Sequence, residues 1–374
     1  MNKRYLAVLI GAIVLVGGVY LMKRDNQNNA IEPTQNTMPI KIGWMGPLTG
    51  DVANLGKDAL AASQMAVEEL NAAGGINGRK IELLIEDGKC NPKDASVAAN
   101  KLINIDKVSS AIVTCSPEVN VVAPIANANK VAVLSSCASA PNVTDAGDYI
   151  FRTYPSDSFQ GVYVADYVYN KLGKRKVAIL AEQNDWALGI EKAFKKDFEK
   201  LGGQVVVLEE FSEGVRDLRT QVTKIKNSDA ELIYFPAFTE ATLVGLKQLK
   251  EFGVNLPIIG GDTWDDQKVL ESSFAQGVLY TGVHSNFDVE WKAKMLAKEI
   301  NLTLCTPTSY DNVKIFADII GRVGDDGEKI KNELYKVKDY KGVIGNITLD
   351  QNGDLTSAAY DMKKIENKKA VILK

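Results

Sequence analysis

The sequence predicts an α/β protein built of two doubly wound, Rossmann-like lobes behind an N-terminal membrane-targeting segment. Three observations carry this. From Pro39 onward, short β-branched runs alternate with amphipathic stretches, the pattern of parallel strands wrapped by helices. The rhythm restarts near Lys176, so a second lobe follows the first. A chain of 374 residues, 45% hydrophobic and 24% charged, is ordered and long enough for two domains.

Residues 1–24 read as a signal or membrane anchor. Asn2, Lys3 and Arg4 precede an uncharged run from Tyr5 to Met22, closed by Lys23 and Arg24. As a helix that run would reach about 27 Å, close to the hydrocarbon thickness and longer than a usual cleaved core. An uncleaved anchor is favoured, although Val16, Gly17 and Gly18 offer a small-residue cleavage site. No cysteine follows to accept a lipid. Residues 25–38 read as a flexible linker, and the body is expected outside the cytoplasm.

In the first lobe, IKIGWM, KIELLIED, AIVT and VAVLSS read as strands, with helices starting near Pro92 and Pro117. TYPSDS, around Tyr154 to Ser158, breaks the pattern as a crossover would. KVAILA, QVVVLEEF, ELIYF and LPIIGG then supply the second lobe's strands. After His284 to Asp288 helices dominate, so the chain is expected to return to the first lobe. The end reads as short strands around an Asn352-Gly353 turn. The expected division is 39–157 with 286–360 for lobe 1, and 158–285 with 361–374 for lobe 2.

Composition narrows the function. Lys+Arg 44 against Asp+Glu 47 gives a net charge of -3, with no basic excess for a nucleic-acid backbone. His284 is the single histidine, which weakens zinc and Ser-His hydrolase readings. GxxxxGK, GxGxxG, HExxH and CxxC are absent from the sequence, so no cofactor or metal is expected. Cys137 would be the nucleophile of an enzyme, but His284 falls at a lobe crossover, in no recognisable motif. Asp265-Asp266 and Asp325-Asp326 read as solvated loops.

Two lobes joined by crossovers enclose a cleft, and open α/β sheets bind ligands beyond the carboxyl ends of their strands. The residues after each strand are therefore the candidates. Cys115, Ser116, Pro117 and Glu118 read as a helix start with Ser116 as its cap. Capping alone explains them; a ligand carboxylate at the hydroxyl and free N–H groups is the functional alternative. Ser135, Ser136, Cys137, Ala138 and Ser139 form a second small, hydroxyl-rich loop, and together the loops could cradle a carboxylate. Asp262 could pair with an ammonium or simply cap a turn. Leu55, Trp186 and Phe238 fall at equivalent strand ends, as apolar cover or as ordinary core. Cys90 and Cys115 lie where neighbouring strand ends could join them, a disulfide worth about 3.5 kcal/mol in an oxidising compartment. Two buried thiols remain the other reading, and Cys305 is expected to be such a thiol.

These residues resemble a known family, the solute-binding proteins of ABC transporters for branched-chain amino acids, of the Leu/Ile/Val-binding type. The resemblance covers most of the chain after Pro39 and is carried by IGWMGPLTGDVANLG, NAAGGINGRKIELLIED, CNPKDASVAANKLI, SAPNVTDAGDYIFRT and GVIGNITLDQNGDL. It implies the type I periplasmic-binding-protein fold, two lobes on a three-strand hinge, and a Cys90–Cys115 disulfide. It implies that Ser116 and Ser139, helped by the main chain at Cys137, hold an amino-acid carboxylate, while Asp262 takes the α-ammonium. That acid is commonly glutamate in the family. Trp186 and Phe238 stand where tyrosines are frequent, and Leu55 where an aromatic often sits, so the side-chain pocket is remodelled. The implied function is capture of an amino acid, branched-chain or otherwise apolar, and its delivery to a membrane permease. A sensory module for an amide, urea or related solute is the alternative.

Overall fold

The computed structural model describes residues 38–284, 287–356 and 359–373. The expected anchor at 5–22 lies outside them. Among the described residues, no helix is long and apolar enough to cross a membrane. Residues Pro39–Lys374 form one compact unit containing two large sheets and a small two-stranded one.

The first sheet is built from β1 (Ile40–Gly46), β2 (Ile81–Asp87), β3 (Ser110–Val113), β4 (Ala132–Ser135) and β5 (Ile150–Arg152), ordered β2-β1-β3-β4-β5 and parallel throughout. β1 is nearly all buried, as a central strand covered on both faces must be. Helices α1 (Ala53–Ala72), α2 (Pro92–Ala99) and α3 (Ser116–Asn129) connect these strands. Ile42, Trp44 and Met65 pack in the core on one face, and Ala98, Val113 and Val122 in the core on the other. After α1 the chain turns at Asn77 and Gly78, whose φ angles of 50° and 82° suit the Asn-Gly pair.

Thr153–Ser156 carry the chain across to α4 (Asp157–Asp166) and then to β6 (Lys176–Gln183), α5 (Asp185–Lys200), β7 (Gln204–Ser212), α6 (Arg219–Lys226), β8 (Leu232–Phe235), α7 (Thr239–Glu251), β9 (Ile258–Gly260), α8 (Gln267–Glu271) and β10 (Leu279–Val283). Strands β7, β6, β8, β9 and β10 lie side by side and parallel. In both sheets the strand order reverses beside the first strand, between β1 and β3 and between β6 and β8.

The chain then returns. α9 (Val289–Ala297), α10 (Thr306–Val323) and α11 (Gly327–Leu334) bring Trp291, Met295, Phe316, Ile320 and Leu334 into the first sheet's core. A small hairpin of β11 (Tyr340–Gly342) and β12 (Gly345–Ile347) follows, then the turn at Asn352-Gly353. Finally β13 (Tyr360–Glu366) joins the second sheet antiparallel to β10, and β14 (Lys369–Ile372) pairs antiparallel to β13 at its edge. Three chain segments therefore link the lobes.

Arg152 ties the end of the first sheet, just before the first link, to Asp354, ahead of the last. It is fully buried and forks onto Asp354 through Nε and Nη2, both 2.7 Å from carboxylate oxygens. Nη1 donates to Ala140 O at 2.9 Å and Nη2 to Thr144 Oγ1 at 2.8 Å.

Both disulfides lie in the first lobe: Cys90–Cys115, with Cα atoms 5.5 Å apart, and Cys137–Cys305, 5.3 Å apart. Cys305 is thus not the buried thiol expected of it. It is the residue before α10, and the return of the chain brings it beside Cys137. Non-reducing peptide mapping is expected to yield both linked pairs; free thiol in the unreduced, unfolded protein would contradict this. Asp354→Ala strands a buried guanidinium and is expected to cost about 3–5 kcal/mol in urea unfolding, whereas a loss below about 1 kcal/mol would show the pair to be incidental.

Candidate functional site

All seven residues singled out at the strand ends, Leu55, Ser116, Cys137, Ser139, Trp186, Phe238 and Asp262, line one cavity between the lobes. Its empty volume, mouth included, is about 410 Å³. Pro47, Val52, Thr114, Thr263, Leu304 and both disulfides complete the walls.

The first-lobe wall is tightly hydrogen-bonded. Cys115, not Ser116, is the residue before α3 in extended conformation. Glu118 closes that end, one carboxylate oxygen accepting from Cys115 N at 3.1 Å and the other from Cys90 N at 3.0 Å. Burial pushes its carboxyl up to about 7. Ser116 is freed for another task. Its Oγ accepts from the N–H groups of Ser139 and Ala140, both at 3.1 Å. A hydroxyl has two lone pairs and one proton, so with both lone pairs engaged Ser116 can offer only its proton. It lies in the first turn of α3, where backbone N–H groups lack intrahelical acceptors and favour negative charge.

The loop carrying Cys137 and Ser139 is fixed from behind. Cys137 is bonded to Cys305, Thr308 Oγ1 donates to Ser136 O at 2.6 Å, and Arg152 holds Ala140 O. Ser139 O accepts from Asp157 N at 2.7 Å, so this loop also touches the start of α4.

The second-lobe wall is apolar around one acid. Trp186 and Phe238 stack with ring centroids 5.4 Å apart and planes 11° apart. Asn184 Oδ1 caps the helix bearing Trp186 by accepting from Ala187 N. Glu182 Oε2 accepts from Phe238 N at 2.8 Å, and burial pushes its carboxyl up to about 7. Asp262 follows β9 in a short 3-10 turn and is 1% exposed. Its Oδ2 accepts from Tyr154 O–H at 2.6 Å, while Oδ1 has no partner among the described residues. Burial raises its pKa.

The lobes also meet at the rim, where Arg216 lies 3.1 Å from Asp51 and Asn120 Nδ2 donates to Asp185 at 2.8 Å. His284 lines an adjoining recess that shares Asp262 and Leu304 with the cavity, its Nδ1 2.9 Å from Asp361, and Cys137 has no thiol to offer as a nucleophile.

Sequence reasoning missed Tyr154, Leu304, Thr263 and the second disulfide. An even cysteine count in an exported chain was the available signal for the disulfide; nothing local marked the others.

Residues 39–369 match the periplasmic binding protein family. Among similar proteins, the Leu/Ile/Val-binding protein homolog 3 of Brucella melitensis is 30% identical over 342 residues, 89% of this chain and 93% of that one. The leucine-, isoleucine-, valine-, threonine-, and alanine-binding protein of Pseudomonas aeruginosa is 29% identical over 327 residues, 84% and 87% of the two chains. Among solved structures, the leucine-binding protein LivK of Thermotoga maritima superposes with TM-score 0.83 at 26% identity, covering 90% of this chain and 98% of that one. The substrate-binding protein LivJ of Streptococcus pneumoniae, in complex with isoleucine, gives 0.80 at 27%, covering 90% and 99%.

Glu118 provides a pH test of the first-lobe wall. A folded-state pKa of about 7, above the ordinary 4.5, means the folded protein holds this proton more tightly than the unfolded chain. The stabilisation is complete below 4.5 and lost as pH rises through 7. Urea unfolding is expected to show wild type losing about 3 kcal/mol relative to Glu118→Gln between pH 4.5 and 8; parallel pH profiles would refute the assignment.

Proposed function

The chain belongs to the periplasmic binding protein family, and on that premise we propose that it captures an apolar amino acid between its lobes and delivers it to the membrane permease of an ABC transporter. Family members are solute-binding proteins, and relatives with the names given above bind leucine, isoleucine and valine. The observation that carries the reading is the pairing of opposites across one apolar cavity. The Ser116 hydroxyl and the first turn of α3 offer donors on one wall, and Asp262 Oδ1 is a buried acceptor without a partner on the other.

A zwitterion answers both. Its carboxylate goes to Ser116, Ser139 and the main chain at Cys137, its ammonium to Asp262, and its side chain to Leu55, Trp186 and Phe238. Carboxylate recognition by convergent donors and ammonium recognition by a buried acid are charge-assisted, hence the stronger contacts. A neutral amide or urea would leave Asp262 without a cation, which favours transport of an amino acid over the amide-sensing alternative. We place lobe 1 at 39–157 with 286–360 and lobe 2 at 158–285 with 361–374, and assign the body to the outer side of the cell membrane, anchored by residues 5–22.

Thermal shift with L-leucine, L-isoleucine and L-valine, against urea and benzoate, tests this. Binding to the native state raises Tm by mass action. A rise with an apolar amino acid is expected, with affinity falling about tenfold to a hundredfold in Ser116→Ala and in Asp262→Asn as one charge-assisted bond is lost. A shift with benzoate or urea alone would overturn the ligand.

A further inference from the structure

Behind Asp262 lies a second buried acid that the ligand reading does not use. Asp157, at the start of α4, is 0% exposed. Among the described residues neither of its carboxylate oxygens makes a hydrogen bond of normal geometry, although the Ser139 hydroxyl is near enough to favour its ionised form slightly. Gln160, three positions along the same helix and therefore beside it, has both amide atoms unpartnered and is also fully buried. Gln160 in turn bears on Asp262. Three phenols enclose the cluster: Tyr154 from the crossover, Tyr234 from β8 and Tyr360 from β13.

The charge count does not balance if both acids are ionised. Arg152 is the one cation that acts on Asp157, and its guanidinium is already committed to Asp354, Ala140 O and Thr144. Glu191, from α5, adds more negative charge toward Tyr234. Two carboxylates sharing a dry site do not both ionise.

We propose that Asp157 stands in this cluster as the neutral carboxylic acid, a positioning residue that leaves Asp262 as the single negative charge offered to the ligand's ammonium. The ammonium half rests on the amino-acid reading; the protonation of Asp157 does not. As an acid, Asp157 gains a donor for Gln160 Oε1 or Asp262 Oδ1, acceptors without partners, and keeps a carbonyl oxygen able to accept from Gln160 Nε2, a donor that also has none. Burial raises both acids, but Asp262 accepts the Tyr154 hydroxyl at 2.6 Å, which favours its ionised form, whereas neither Asp157 oxygen has such a bond, so the proton falls to Asp157.

Infrared difference spectra read the proton directly. At neutral pH, unliganded wild type minus Asp157→Asn is expected to show the C=O stretch of a protonated carboxyl, and its absence overturns the proposal whatever the ligand. Should Asp157→Asn not fold, Asp157→Ser takes its place in the same difference: the band places the proton on Asp157, and its absence overturns the assignment. Isothermal titration with L-isoleucine tests the consequence. Asp157→Ala is expected to weaken binding about tenfold, and Asp157→Asn, shaped like the neutral acid, to restore it to within about threefold of wild type. An Asn variant about tenfold weaker than wild type or worse marks a lost charge and overturns the proposal. If wild type itself ignores L-isoleucine, the amino-acid reading suffers and the infrared result still decides Asp157.

Discussion

The site depends on one buried guanidinium. Arg152 sits at the end of the last strand of the first sheet, immediately before the chain leaves that lobe, and reaches three parts of the chain at once. Its ion pair with Asp354 ties down the segment preceding the last crossing, its bond to Ala140 O sets the end of the cavity loop, and Thr144 braces the turn beyond. Desolvating such a charge is costly unless it is fully paired, so this geometry tolerates few alternatives. Arg152, together with the Cys137–Cys305 disulfide and Thr308, holds the loop from which Ser139 and Ala140 direct their N–H groups at Ser116.

The two walls differ in how complete they are. On the first lobe nearly every polar group already has a partner: Glu118 closes the α3 end, Ser116 accepts twice, and two disulfides fix the loops. On the second lobe Asp262 keeps an open acceptor beside two stacked rings. The first wall is thus ready to receive a ligand, and the second has an interaction to gain only with something between the lobes. A ligand shifts a conformational equilibrium only by its differential affinity for the two states. The rim contact between Arg216 and Asp51 is half-exposed and of a kind worth little, so the content of the cavity has to supply the preference for closure.

Much of this was legible in the sequence because it follows from strand ends. Each alternation of strand and helix marks a C-terminal edge, and reading the residues just beyond those edges assembled Leu55, Ser116, Cys137, Ser139, Trp186, Phe238 and Asp262 before any coordinates. What escaped were relations between distant segments. Cys137 and Cys305 are 168 positions apart, joined only because the chain re-enters the first lobe. Tyr154 reaches Asp262 across 108 positions, and Asp157 looks like an ordinary first-turn acid until its surroundings close over it. Ser116 was read as a cap because Ser before Pro suits one; the fold gives that task to the neighbouring residue and directs the hydroxyl at the loop.

The charge state of the cluster behind Asp262 bears on which solutes the cavity can hold. With one ionised acid facing the donors of α3, the site complements a zwitterion: one negative group, one positive group, and an apolar remainder against Trp186, Phe238 and Leu55. A plain carboxylate satisfies the first wall and leaves Asp262 buried without a cation. An amide satisfies neither fully. A second ionised acid would instead favour ligands with more positive charge, in a cavity whose lining, among the described residues, holds no Lys or Arg to offset it. On the proposed reading, selection for neutral, apolar amino acids would follow less from the shape of the pocket than from holding the second acid in its neutral form.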